Sequence, residues 1–365
     1  MLAPLVSAWP RIAERLLSAP LGEFPTPVTR AARLERELGA GPLYIKRDDL
    51  SSSVYGGNKV RTLEVLFGAA RAAGAREIVA VGPYGSNQAV ATALHAPRFG
   101  LHAHAILFAQ PASRAALDNL RVLLSHVEGH VALPHWSFVP AAIWSARGPG
   151  RFVMPPGGAT PHGALGYVAA GLELAEQIAR AELPVPRAIY VPVGSTCTCA
   201  GLLVGLMHGA RLGLLPGALP RVVAVRVTPW PVTSRLRILS LAVQSSRRLA
   251  ELAENRSLEL SRAELGPHLE LDGRELGSGY GFATPSGLDA ISLFERNEGL
   301  VLDSIYSAKA AAAFVRGARD GREGPLLFWS TKSSAALPLA APEHLTRATP
   351  RLAAWIRECE RRLAS

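Results

Sequence analysis

Short apolar runs alternate along this chain with longer segments whose apolar residues recur every three or four positions. The runs at 43–45, 78–81, 103–108, 152–154, 188–193, 221–227 and 326–329 read as strands, and Val301-Leu302 as a further short one. Helical spacing predicts helices over 31–38, 60–73, 88–99, 113–124, 163–183, 200–212, 234–254, 286–298, 309–316 and 352–363. In the second of these Leu63, Leu66, Phe67 and Ala70 share a face. Residues 1–17 read as a short amphipathic helix, residues 126–151 follow no clear period, and 258–279 is mixed and polar. Strand and helix alternating at such intervals predict parallel sheet with right-handed crossovers.

Length and charge narrow the class. The 365 residues suffice for two domains or one large α/β domain, and 48% hydrophobic residues exclude a disordered chain. The net charge of +10 (39 − 29) raises a nucleic-acid partner. The arginines are scattered, however, and no nucleic-acid motif accompanies them, so they read as charged helix faces whose field favours a carboxylate or phosphate ligand. Three cysteines (Cys197, Cys199, Cys359) argue against a disulfide framework and fit a reducing compartment. Cys197-Thr198-Cys199 lacks a second ligand pair, so no metal site is expected. Arg11 and Arg15 break any N-terminal apolar run, and no stretch is apolar enough to span a bilayer, so the expectation is a soluble cytoplasmic protein without a membrane partner.

Candidate chemistry starts from lysine, which is rare here: Lys46, Lys59, Lys309 and Lys332 stand against a large excess of arginine. Arginine forms no Schiff base; a desolvated lysine does. Lys59 follows Gly56-Gly57-Asn58, which reads as a loop presenting its amine to a ligand, or as a solvated surface turn. Three strand-to-helix junctions hold small polar residues where open α/β sheets bind ligands. They are Ser86-Asn87-Gln88, Gly194-Ser195-Thr196-Cys197-Thr198, and Ser330-Thr331-Lys332-Ser333. Each also reads as an ordinary helix cap. The second has the composition of an anion cradle but no following Gly-Lys-Ser/Thr. Taken together, a lysine, a phosphate cradle and a hydroxyl at a late strand end suggest pyridoxal 5'-phosphate. His126 and His130 do not make a zinc-protease motif, and Asp48-Asp49 reads as ordering the chain before Lys59.

The run Lys46-Arg47-Asp48-Asp49-Leu50, followed by Gly56 to Glu64, resembles the signature of the 1-aminocyclopropane-1-carboxylate deaminase/D-cysteine desulfhydrase family. The likeness continues through Gly85 to Gln88, Pro156-Gly157-Gly158 with Gly163 to Tyr167, Gly279-Tyr280-Gly281, Asp303 to Tyr306, and Thr331, over roughly 21–337. It implies a two-domain α/β fold of tryptophan-synthase-β type (fold type II), with parallel-rich open sheets and the cofactor in the interdomain cleft. The large domain would be 1–61 and 168–365, the small inserted one 62–167. It implies Lys59 as the covalent anchor and proton shuttle, with Tyr280, Tyr306 and Ser86 also catalytic. Asn58, Asn87, Gly194, Ser195, Thr196, Cys197, Thr198 and Thr331 would hold pyridoxal phosphate. Ser86, Asn87, Gln88 and Gly158 would bind a small amino acid, and the assembly would be a homodimer.

Within that family, Ser307 and Thr331 separate the activities. The deaminase carries a glutamate and a leucine at those places, so the pair implies D-cysteine desulfhydrase-like β-elimination. The alternatives are the cyclopropane deaminase and a divergent member that binds cofactor or amino acid without turnover. The chain departs from the family at Lys332 and Ser333, where glycines are usual, at the glycine-poor 196–199 loop, at Ala159-Thr160, and over 229–278.

Overall fold

A computed structural model of the chain describes residues 2–364. Its strands are β1 Val28–Arg30, β2 Leu43–Arg47, β3 Glu77–Pro83, β4 His102–Phe108, β5 Gly129–Leu133, β6 Arg151–Met154, β7 Ala188–Val193, β8 Arg221–Arg226, β9 Leu269–Asp272 and β10 Leu326–Ser330. They form two sheets. The six-stranded one runs β1-β2-β10-β7-β8-β9 and is parallel except for β1, which pairs antiparallel to β2. The four-stranded one runs β5-β4-β3-β6, parallel throughout. Every residue of β7 is buried, as expected of a central parallel strand covered on both faces.

Helices cover both sheets. Leu165–Ala179 and Cys197–Arg211 lie against each other beside β7 and share one apolar cluster with it. A second cluster joins Asn58–Ala72 and Asn87–His95 to β3 and β4, and the C-terminal helix Pro350–Ala364 adds Leu352, Ile356 and Cys359 to it. Among the described residues no helix is long and apolar enough to cross a membrane.

Several expected boundaries move, each for a physical reason. The unassigned 126–151 stretch supplies edge strand β5 and the helix Val139–Ser145, which buries no residue fully and so shows no clear period. The polar 258–279 stretch contributes β9, the sixth strand of the large sheet. Val301-Leu302 is not a strand: Val301 is exposed, Leu302 is buried, and the two find no sheet partner. Asn58-Lys59, expected on a loop, open the Asn58–Ala72 helix, and Cys197 opens its helix three residues before the expected start. Apolar periodicity cannot detect a first turn made of small polar residues.

Candidate active site

Lys59 lies in the first turn of the Asn58–Ala72 helix. The chain enters through Gly57 at φ 88°, where a Cβ would stand 2.5 Å from the Thr331 carbonyl oxygen, so only glycine permits this approach. The Asn58 N–H donates to that carbonyl at 3.0 Å, which fixes the helix start to the end of β10. Lys59 is half-buried, and no hydrogen bond to its amine forms among the described residues. Desolvation pulls its pKa below the ordinary lysine value, against the opposing influence of Cys197 beside it.

A buried ionic network holds this helix in place. Arg61 donates to Asp48 at 2.8 Å and to Glu173 at 2.8 Å, and Lys46 donates to Glu173 at 2.6 Å. Tyr167 and Trp329 donate to the second Asp48 oxygen at 2.6 and 2.8 Å. Two cations thus meet two carboxylates with the remaining oxygen sites bonded, the condition under which buried ions are tolerated. The Arg61 guanidinium and Lys46 hold Glu173 down to about 2 although burial works the other way. Asp49 takes Arg47 at 2.8 Å and the Ser334 hydroxyl at 2.6 Å, tying the chain before Lys59 to the chain after β10. The Lys46-to-Asp49 run therefore tethers the chain that leads to Lys59.

The loop after β7 faces Lys59. Cys197, whose thiol burial pushes up to about 11, contacts the Gly158 carbonyl at 3.4 Å. Thr198 accepts from Asn58 Nδ2 at 3.0 Å. Ser195 packs on Gly157, its Oγ 2.0 Å from where a Cβ there would be. A Cβ at Gly194 would stand 3.5 Å from the Tyr306 ring. Thr196 adopts φ 73°, the left-handed region that a β-branched residue avoids, so this turn keeps a glycine-like shape without glycine.

In the other sheet, β3 ends before the helix Asn87–His95. Ser86 caps it, accepting from the Ala89 N–H at 3.2 Å. The Asn87 oxygen receives Tyr55 OH at 2.8 Å, Asn119 Nδ2 at 2.9 Å and Lys332 Nζ at 3.3 Å. Gln88 is buried beside Gly158, and its Oε1 has no donor among the described residues. Tyr280 and Tyr306 close the remaining side, their hydroxyls 2.7 Å apart. Burial raises both phenols well above the ordinary tyrosine value. Asp303 fixes Tyr306 by accepting the N–H groups of Ile305, Tyr306 and Ser307. Lys309 fixes the Tyr280 loop by donating to the carbonyls of Leu276 at 2.8 Å and Gly279 at 3.2 Å.

The structure thus gathers Lys59, Asn58, Thr331, Gly158 and the 194–198 loop into one linked set, with Tyr306 and Tyr280 reaching it through Gly194. Ser86, Asn87 and Gln88 form a second wall, joined to that set where Gln88 lies beside Gly158 and Lys332 contacts Asn87. Sequence reasoning assigned no role at the site to Tyr55, Asn119, Asp303 or Lys309. Each of three left a signal: Asn119 as a polar residue among Leu117, Leu120, Leu123 and Leu124 on a buried helix face, Lys309 in the scarcity of lysine, and Asp303 at the head of the run to Tyr306.

Pyridoxal phosphate fits these residues. The N–H groups of Cys197, Thr198 and Cys199 have no carbonyl one turn back, bond no other carbonyl among the described residues, and are buried. Buried donors without acceptors at the start of a 15-residue helix suit a phosphate dianion. A desolvated amine lies beside them, and the Thr331 hydroxyl makes no hydrogen bond among the described residues.

Comparison with known proteins agrees with this chemistry. Residues 19–331 match the family described as "Pyridoxal-phosphate dependent enzyme". The chain is 32% identical over 326 residues to a D-cysteine desulfhydrase of Salmonella choleraesuis (strain SC-B67), covering 86% of this chain and 93% of that protein. It is similar to the crystal structure of an ACC deaminase homologue, with a TM-score of 0.73, 28% identity, and coverage of 95% of this chain and 100% of the other. A fungal L-serine ammonia-lyase from Rhizomucor miehei shares the fold, with a TM-score of 0.58 at 16% identity, over 92% of this chain and 98% of its own.

Proposed function

The chain belongs to the pyridoxal-phosphate dependent enzymes, and on that premise we propose that it is a lyase that eliminates the β-thiol of D-cysteine. Water completes the reaction, and a 2-oxo acid, ammonia and sulfide leave. The observation that carries this reading is Lys59, a desolvated amine without an acceptor among the described residues, beside the first turn of the Cys197–Arg211 helix.

In this reading the 194–198 loop and the free N–H groups at the start of the Cys197–Arg211 helix would hold the phosphate, Lys59 would be the covalent anchor, and Asn58, Asn87 and Thr331 would complete the cofactor site. When bound, the cofactor supplies an electron sink for the charge left at Cα. Lys59, its pKa depressed, takes the Cα proton. Ser86 and the free N–H groups of the Asn87–His95 helix orient the substrate carboxylate, with Gln88 and Gly158 along the same wall. Tyr280 and Tyr306 stay protonated through neutral pH because burial raises them, so their shared hydroxyl pair has a proton for the departing sulfur.

Ring opening of 1-aminocyclopropane-1-carboxylate has less support. Ser307 is a buried hydroxyl without a partner among the described residues, where that chemistry favours a carboxylate, and Thr331 is a hydroxyl where the deaminase has a leucine. A member without turnover is separated by assay. Purified protein loaded with pyridoxal phosphate is given D-cysteine, L-cysteine, D-serine and the cyclopropane amino acid, and sulfide, 2-oxo acid and ammonia are measured. Sulfide from D-cysteine at catalytic turnover is expected; none from the loaded protein sinks the proposal.

Three buried free cysteines support a cytoplasmic location. We also propose a homodimer, checked by light scattering. The proposed division is a large unit of 1–61 and 168–365 and an inserted unit of 62–167, checked by limited proteolysis.

A further inference from the structure

Lys332 stands where β10 leaves its sheet. Its backbone pairs with Gly57 in an isolated antiparallel bridge, two residues before Lys59. From that anchor its side chain reaches the wall formed by the other sheet. The ammonium donates to Tyr55 OH at 2.9 Å and to Asn87 Oδ1 at 3.3 Å, and lies 4.9 Å from the centre of the Tyr55 ring.

These partners do not satisfy it. Among the described residues no carboxylate lies within salt-bridge distance of Lys332. Asn87 Oδ1 has two lone pairs and already receives Tyr55 OH at 2.8 Å and Asn119 Nδ2 at 2.9 Å, so the third and longest contact is the weakest. Tyr55 is buried and neutral, so it offers an oxygen but no counter-charge. At least one ammonium proton is left over, in a half-buried place where an unpaired cation is unfavourable. The residue it approaches, Asn87, opens a nine-residue helix whose free N–H groups favour an anion. Gln88, the next residue, has a buried Oε1 that receives no hydrogen bond among the described residues, an acceptor open to a ligand's N–H rather than to its carboxylate. The phosphate cradle has a separate set of contacts, with Asn58, Gly157, Gly158 and Tyr306.

We propose that Lys332 is a carboxylate-binding residue of this site, whose ammonium turns from Asn87 to the carboxylate of the incoming amino acid and makes the site discriminate against ligands lacking that charge. The proposal rests on the reading of the site as an amino-acid site, and deepens it. It makes Lys332 a determinant of affinity, not a proton-transfer group.

Binding is measured by calorimetry on the cofactor-loaded protein, comparing D-alanine, which has no leaving group, with D-alaninamide. Wild type is expected to prefer the carboxylate, Lys332→Met to lose that preference by about 10- to 100-fold, and Lys332→Arg to keep most of it. Thermal melting of each variant separates lost binding from lost folding. In D-cysteine turnover the methionine variant is expected to raise KM far more than it lowers kcat. D-aspartate distinguishes the source of the charge. An effect confined to it assigns Lys332 to a side-chain carboxylate, and an equal effect on D-alanine assigns it to the α-carboxylate. Binding of both D-alanine and D-aspartate by Lys332→Met as tightly as by wild type overturns the proposal, as does a wild type indifferent to the charge. Neither outcome depends on sulfide release, so a failed lyase assay leaves this result readable.

Discussion

At the scale of single residues, the proposed chemistry rests on protons whose positions burial controls. Lys59 is the one lysine of the chain in a helix first turn beside the 194–198 loop, and its depressed pKa comes mainly from desolvation. Borohydride reduction of the loaded protein followed by mass spectrometry should add the cofactor's mass to the peptide carrying Lys59. Lys59→Ala should retain none. For the tyrosine pair, Tyr306→Phe removes one end of the 2.7 Å hydroxyl contact. If that pair protonates the departing sulfur, the variant should lose about 10²-fold in kcat with D-cysteine. It should lose much less with β-chloro-D-alanine, whose chloride leaves without a proton. Equal losses would show that Tyr306 shapes the site without supplying the proton.

Between elements, the close contact of two helices aims the candidate cradle. Leu165–Ala179 and Cys197–Arg211 approach so closely that a Cβ on Gly205 would stand 2.3 Å from the Val168 carbonyl oxygen and 2.8 Å from Gly171 Cα. Gly205→Val must push the second helix away, and with it the first turn containing Cys197, Thr198 and Cys199. Chemical denaturation should show a loss of about 1–3 kcal/mol. Cofactor affinity, measured by fluorescence titration, should fall as well, although Gly205 lies two turns from the cradle. A variant destabilised without any change in cofactor affinity would show that the cradle is set by the Thr196 turn alone.

The whole molecule is joined beneath the site by the Lys46–Glu173–Arg61–Asp48 network, which links β2, β10 and two helices. Arg61→Met leaves two buried carboxylates with one cation and should destabilise the fold by about 3–5 kcal/mol, read from the denaturation midpoint. The pH dependence has a definite sign. Glu173 sits at about 2 in the folded protein, against an ordinary value of 4.5. Its contribution is therefore complete above pH 4.5 and disappears as pH falls toward 2. Glu173→Gln should flatten the acid side of the stability profile in that window and leave its slope above pH 5 unaltered.

The sequence by itself determined the alternation of strand and helix, the apolar interiors of β7 and β10, and the motif residues that mark the family. These are local matters: periodicity and short-range residue chemistry are written in order along the chain. It also singled out Lys59 and Lys332, through the scarcity of lysine. Tertiary structure alone decided what those residues meet. Asn58 and Thr198 are 140 positions apart, Lys332 and Tyr55 are 277, and the Asp48–Trp329 hydrogen bond spans 281. Such contacts depend on strand order, which brings β10 between β2 and β7, and no periodicity encodes that placement. Burial then did the rest, lowering Lys59 and raising Tyr280 and Tyr306, because a side chain's charge depends on the solvent that its neighbours exclude.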